Sequence, residues 1–412
     1  MGVLRRGWCK PIPALRPLSR TWCCWRCSSG DPGVCWARRK NSNGYRRDEI
    51  VSSSPFLKTS YPARLELLAT PFRRWVAIAA LVAAAIVPFV FDTYYLSLLN
   101  LVFIACIGAI GINITTGYAG QVNLGQAGFL LVGEFVAGAI AIHIGAIWAN
   151  FWIAAPAAMI AGAAVGVIVG WPALRVRGLY VTLATLAAFF VIQYLGLRYI
   201  EYLQQTLKTG IDIKLSALDL LFMTVSSERS WYYLLLSVTV VVIVAATGLA
   251  HTKAGRAWQA LREHELMTEV MGIDVAHYKL IAFAVGASLA SLAGMLFGFY
   301  HHSVNPEAFT VEVSVQYLAM IIIGGMGSIA GAVLGAAFVV LIPYGLEWVL
   351  DTFNAPSQFL IYFSAVRLGV FAFLMLIFLL LEPEGLIGLW ERIRRFFVLW
   401  PFRFQPLEEK RR

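Results

Sequence analysis

Charge is what this sequence has least of. Only 14% of its 412 residues are Asp, Glu, Lys or Arg, against roughly 25% in soluble domains. So few charges cannot furnish a water-facing surface for a 45.4 kDa chain, which excludes a soluble enzyme, a disordered protein and a coiled coil. Histidine is scarce too, with six in all, the first at His143. Five of the six cysteines (Cys9, Cys23, Cys24, Cys27, Cys35) sit in the first 35 residues. Cys106 alone lies in the apolar body, where a buried inert thiol is expected. The body has no HExxH, no GxSxG and no clustered carboxylates, so a membrane enzyme is disfavoured. It also has no GxxxxGK[ST], so this chain does not cradle ATP phosphates by that mechanism. Strand-like alternation is missing from the apolar runs, which excludes an outer-membrane barrel. What is present is 59% hydrophobic residues and a mean hydropathy of +0.72. That composition defines an all-α, polytopic transmembrane helical bundle.

The basic excess is local. Residues 1–74 hold 15 Lys+Arg and 4 Asp+Glu, while the rest hold 18 and 19. The formal +10 is therefore a property of the N-terminal segment and argues for no nucleic acid. Residues 1–60 mix Arg, Cys, Trp, Ser and Pro without helical or strand period. Cys24-Trp25-Arg26-Cys27 lacks a fourth ligand at suitable spacing, so no metal site is expected. No apolar core of signal-peptide length is present. The expectation is a disordered extension, or translation from a start upstream of the true one. No Met falls between Met1 and Met159, and Val51 is a candidate start. A basic juxtamembrane segment, 61–74, follows. The transmembrane body is expected over 75–385 and a basic cytoplasmic tail over 386–412.

Apolar runs of spanning length are expected at 75–91, 94–115, 128–147, 151–170, 179–199, 231–250, 279–300 and 359–381. The stretch 313–350 is interrupted by Gly324-Gly325-Met326-Gly327-Ser328. It reads as a short helix, a Gly-rich turn and a full helix. Arg73 and Arg74, Arg175 and Arg177, the loop cations Lys253, Arg256, Arg262 and Lys279, and the tail from Arg392 to Arg412 all belong on the cytoplasmic side. The split at 324–328 satisfies that rule with about ten passes, both termini cytoplasmic and the loops 200–230 and 301–312 outside.

Two segments carry polar chemistry. The first runs from Asn113 through Gly117, Gly120, Gln121, Asn123, Gly125 and Gln126 to Gly128. Glycine permits bends, and amides satisfy backbone groups freed at a broken helix. Broken helices line translocation paths in transporters, although composition alone also allows a surface turn. The second is the loop 251–279. Ala257, Leu261, Met267 and Met271 fall near a helical period with charges between them, and Gly272 can end the helix. Such a helix fits docking onto a soluble partner; the pattern equally fits a helix lying on headgroups. Glu134 lies inside a span, where a carboxylate must face the bundle interior or a water-filled path. His301 and His302, near Glu307 and Glu312, read as solvated histidines at a helix end.

The block Thr116–Gly128, the block Arg175-Val-Arg177-Gly178-Leu-Tyr180 with Thr185-Leu186, the stretch from Gly255 to Pro306 and the block Ile322–Ser328 with Gly331 and Gly335 occur in that order. Together they resemble the permease subunits of ABC importers for branched-chain amino acids, the LivM type, from about residue 95 to 385. The chain departs from the family pattern at Gly133-Glu134-Phe135, Ala188-Phe189-Phe190 and Thr209-Gly210-Ile211.

The resemblance implies a non-catalytic permease in a bacterial inner membrane. It implies a homologous second permease, two cytoplasmic ATP-binding subunits and a periplasmic or lipid-anchored substrate-binding protein as partners. No cofactor is expected in this chain, since ATP is used by the partners. Asn113, Gly117, Gln121, Asn123, Gln126, Glu134 and Thr185 are expected along the substrate path. Arg256, Arg262, Glu263, Glu269 and Gly272 are expected to couple to the ATPases. The substrate expected is a branched-chain or other neutral amino acid. The alternatives are a urea or short-amide permease of the same family, and an ion-coupled secondary transporter with Glu134 as its ion site.

Overall fold

The computed structural model describes residues 71–143, 151–173, 179–207, 227–352, 369–370, 372–373, 376 and 385–399. The expected N-terminal extension, the Arg175–Arg177 loop, most of the outer loop 200–230 and of the span 359–381, and the tail beyond 399 fall outside these residues.

Long apolar runs make helix the only economical backbone in lipid, because each N–H and C=O must be satisfied within the segment. The described residues contain no strand. Their helices are α1 (Pro71–Val90), α2 (Thr93–Ile112), α3 (Gln126–His143), α4 (Phe151–Ala173), α5 (Leu179–Leu207), α6 (Glu228–His251), α7 (Lys253–Glu263), α8 (Glu265–Val270), α9 (Val275–His301), α10 (Val311–Gly324), α11 (Ile329–Thr352) and α12 (Gly385–Leu399). Among the described residues, five segments, Thr93–Tyr118, Phe151–Pro172, Tyr180–Tyr202, Glu228–His251 and Val275–His301, are long and apolar enough to cross a membrane. Three shorter apolar helices, Gln126–Ala141, Val311–Gly324 and Ile329–Gly345, pack among them. The expected short helix before the Gly-rich turn is α10. Its 14 residues rise only about 21 Å, less than the ~30 Å hydrocarbon core.

The bundle is built around α2 and α9, whose apolar windows are 72% and 67% buried, against 17% for α5. Small residues bring the backbones together. A Cβ on Gly133 of α3 would overlap the Ser291 carbonyl of α9, and one on Gly294 would overlap the Leu130 carbonyl. On α4, Gly162 and Gly166 lie one turn apart against Ser291 and Ala287. Without a hydrophobic drive between helices in lipid, such close approach supplies the dispersion contact that holds them. Cys106, 1% exposed, fills this core as expected. The outer faces carry Ile160 and Ile168 on α4, Leu183, Phe190 and Val191 on α5, and Val241 and Val244 on α6, all exposed. Acyl chains match that belt.

One expectation needs correction. The helix expected through 257–271 is two helices, broken at His264, whose backbone is extended (φ −152°, ψ 98°). The break follows from two incompatible faces. In α7, Ala257, Trp258 and Leu261 are buried, and Trp258 Nε1 donates to the Tyr278 carbonyl at 2.8 Å. In α8, Leu266, Met267, Val270 and Met271 beside it point outward. A single straight helix would put Met267 and Met271 on the stripe of Ala257 and Leu261.

Candidate functional site

Helix α2 ends in a wide turn. Residues Asn113–Tyr118 form a π-helical turn, in which Ala119 N–H reaches back to the Ile114 carbonyl at 3.1 Å. The widening frees backbone groups, and side chains take them up. Thr116 Oγ1 donates to the Gln121 carbonyl at 2.9 Å. Gln121 N–H donates to the Thr115 carbonyl at 3.0 Å. Asn113 spans to the Gly-rich turn between α10 and α11: its Nδ2 donates to the Ser328 carbonyl and its Oδ1 accepts from Gly327 N–H, each at 3.0 Å.

The chain then turns back into α3. Asn123 Oδ1 accepts from Gly125 N–H at 2.8 Å, an Asx turn that leads the chain into the new helix. Ser314 Oγ of α10 accepts from Ala127 N–H at 2.9 Å. Gln126 Nε2 donates to the Gly108 carbonyl of α2 at 3.0 Å. Thr185 Oγ1 of α5 accepts from Leu124 N–H at 3.2 Å. The structure thus brings Asn113, Gly117, Gln121, Asn123, Gln126 and Thr185 into one buried knot. Gly117 is small for the same reason, since a Cβ there would overlap Asn113 Oδ1. Most of these amides are engaged in holding the bend. Gln121 keeps a buried amide nitrogen, Nε2, without a hydrogen-bond partner.

The loop 251–279 meets the same knot. Arg262, at the C-terminal turn of α7, donates through Nη1 to the Gly117 carbonyl at 2.8 Å and to the Met326 carbonyl at 3.3 Å. A cleft of about 420 Å³ between Tyr118, Gln259, Arg262, Glu263 and Gly327 opens beside it. Of the other coupling candidates, Glu263 lines this cleft, Arg256 and Glu269 are exposed, and Gly272 ends α8 with φ +81°. Lys279 pairs with Glu265 at 2.7 Å and ties α8 to α9. Reasoning from sequence missed Leu266 and Val270, which stand 67% and 85% exposed beside Met267 and Met271. The signal was there: four apolar residues within six, in a loop otherwise rich in charge.

Glu134 is remote from this knot. It lies on α3, 1% exposed, and its Oε1 accepts from Asn305 N–H at 3.1 Å. Asn305 belongs to the segment 302–310 between α9 and α10, which tucks Val304 and Phe309 into the bundle. Glu134 Oε2 has no hydrogen-bond partner. His301 and His302 are exposed at the end of α9, as expected, with His302 in the left-handed region (φ 54°). A second polar cluster lies at this end, where Glu228 Oε2 accepts from Asn100 Nδ2 and from Tyr300 OH, each at 3.0 Å.

A glycine-packed helical bundle with a lipid-facing belt, a broken helix buried at one end and an exposed apolar helix beside it defines a membrane permease. Residues 94–380 match the family described as the branched-chain amino acid transport system permease component, and the chain belongs to that family. It is 29% identical over 330 residues to the high-affinity branched-chain amino acid transport system permease protein LivM of Escherichia coli K12, covering 75% of this chain and 74% of that protein. The probable LivM of Methanocaldococcus jannaschii is 26% identical over 311 residues, 68% of this chain and 89% of its own length. LivH of Escherichia coli K12 is 31% identical over 153 residues, 37% of this chain and 45% of its own length. No solved structure matches the chain. The chain is a multi-pass membrane transport subunit of the ABC-importer kind and not an enzyme. Relatives of two kinds, LivM and LivH, imply a pair of related permeases in such a system.

Proposed function

We propose that this chain passes branched-chain amino acids across the inner membrane as one of two permeases driven by cytoplasmic ATPases. The observation that carries the reading is the bare apolar face of α8, formed by Leu266, Met267, Val270 and Met271 on a loop rich in Lys and Arg. Positive loops are retained on the cytoplasmic side, so α7, α8 and the knot face the cytoplasm and Glu134 lies toward the outside. Apolar side chains held out on a short helix suit a groove in a soluble partner. Arg256, Glu263 and Glu269 then form the polar rim of that contact.

The path runs along α2, α3 and α9. A zwitterion leaving water needs replacement contacts for its amine and carboxylate, and amides offer both without trapping charge. Gln121 and Glu134, with Asn100 and Ser291, are the residues whose buried polar atoms lack a partner among the described residues. Of these, Gln121 and Glu134 are offered to the substrate, while Asn113, Asn123, Gln126 and Thr185 keep the frame in shape. A binding protein delivers substrate at the outer end, and ATP is consumed by the partner subunits.

Proteoliposomes holding this chain with its sister permease, the two ATPases and the binding protein test the reading. Uptake of labelled leucine that requires ATP and the binding protein, and that is displaced by isoleucine and valine but not by urea, is expected. Uptake driven by a proton or sodium gradient without the ATPases would overturn it in favour of a secondary transporter.

A further inference from the structure

We propose that Arg262 is the latch of the inner mouth: one guanidinium that fastens the docking segment to both chain breaks of the bundle, and whose release opens them together. This rests on the reading of α8 as the ATPase-docking surface.

Several observations converge on it. The Gly117 carbonyl belongs to the π-helical end of α2, and the Met326 carbonyl to the turn between α10 and α11. The Gly117 carbonyl is a helix-end carbonyl, beside which a cation is favoured, and the Met326 carbonyl is a turn carbonyl outside any helix. Arg262 answers both through a single nitrogen. The two breaks are also joined directly, since Asn113 clamps Gly327 and Ser328. They therefore form one block, and Arg262 is a link from that block to α7.

The surroundings are shaped around this side chain. Gly327 has φ +81°, and a Cβ there would overlap Arg262 Nη1. Gly120 has φ +70°, and a Cβ there would stand 3.3 Å from the Arg262 Cα. Two glycines in left-handed backbone thus make room for one arginine. Water reaches the contact, because Arg262 remains exposed and the cleft beside Tyr118 and Glu263 is open. Exposed charged hydrogen bonds can be made and broken in every cycle, whereas the buried Trp258 anchor keeps α7 on α9 throughout.

The latch is separated from docking by position. Arg262 points into the bundle, and Val270 and Met271 point away from it. Displacing α8 toward a partner pulls the end of α7, and the first contacts stretched are those to Gly117 and Met326.

The test uses the complete complex in proteoliposomes, with the native cysteines replaced and a reporter thiol introduced by Ala119→Cys, at a buried position beside the knot. The variants are Arg262→Gln and, leaving the arginine in place, Gly327→Ala. In both, the ATPases are expected to co-purify at the parental ratio. ATP hydrolysis should persist but lose its dependence on binding protein and leucine. Uptake per ATP should fall about tenfold, and the reporter thiol should react with a water-soluble thiol reagent about tenfold faster without nucleotide, the loss of one to two hydrogen bonds. Coupled transport with unchanged reactivity of the reporter in both variants would overturn the latch. Loss of the ATPases from Arg262→Gln would also overturn it, by making Arg262 a docking contact. Failure of the docking reading shows separately, as full ATPase retention in Val270→Asp.

Discussion

Aspartate at Val270 and Met271 should detach the ATPases while leaving the bundle intact. The two side chains are 85% and 81% exposed, so neither stabilises the fold to any extent. Burying a Val or Met side chain completely is worth about 1.5–3 kcal/mol. With four-fifths of each side chain open to a partner, the pair supplies roughly 2–5 kcal/mol of docking energy, about 30- to 4000-fold in Kd. A carboxylate carried into that groove adds a desolvation cost to the loss. The assay is titration of the purified ATPase subunits onto the permease pair in nanodiscs, with thermal unfolding of the same samples as control. Expected are an unchanged Tm, a Kd raised at least within that range and uptake lost in parallel. An affinity within a few-fold of the parent would refute the assignment of α8, because no docking groove on that face tolerates two buried carboxylates.

Gly294→Leu should abolish insertion or drop Tm sharply, since even a Cβ overlaps the Leu130 carbonyl and overpacking costs about 1–3 kcal/mol or more; a detergent melting curve decides it. Glu134→Ala leaves the Asn305 N–H without its acceptor and should cost about 1–3 kcal/mol, whereas Glu134→Gln retains an acceptor and should restore Tm and most uptake. A chain beginning at Val51 should insert and transport like the full chain, because residues 1–60 have no apolar periodicity in their sequence and precede the family match at residue 94; uptake and membrane fractionation measure this.

Helix positions were legible because twenty apolar residues in lipid have few alternatives. The short helix, Gly-rich turn and longer helix over 311–352 could be foreseen from the length of the apolar stretch, its interruption at Gly324–Ser328 and the placement of the basic loops. The polar block 113–128 was recognisable as a broken element, but the division of labour within it was not. Gln126 reaching Gly108, and Asn113 reaching Ser328 some two hundred residues away, are long-range facts that no local pattern carries. The helix expected through 257–271 failed for a related reason. Periodicity gave one stripe to residues that tertiary packing assigns to two faces, and Trp258, bonded to Tyr278, fixes which side is inward. The Arg262 contacts were invisible because their acceptors are backbone carbonyls, which every sequence supplies equally.

The carbonyl-to-glycine contacts around α9 restrict how this protein can move. Where helices meet through long side chains, an interface can creep by exchanging rotamers. Here α3 and α4 lie against α9 with backbone at the van der Waals limit, and Gly111 of α2 does the same against Gly286. Sliding by a single residue would drive a Cβ into a carbonyl oxygen. These four helices therefore behave as one stiff chassis. Any alternating opening must be borne by parts fastened to it more loosely: α5 and α6, whose apolar windows are only 17% and 28% buried, and the exposed helix α8.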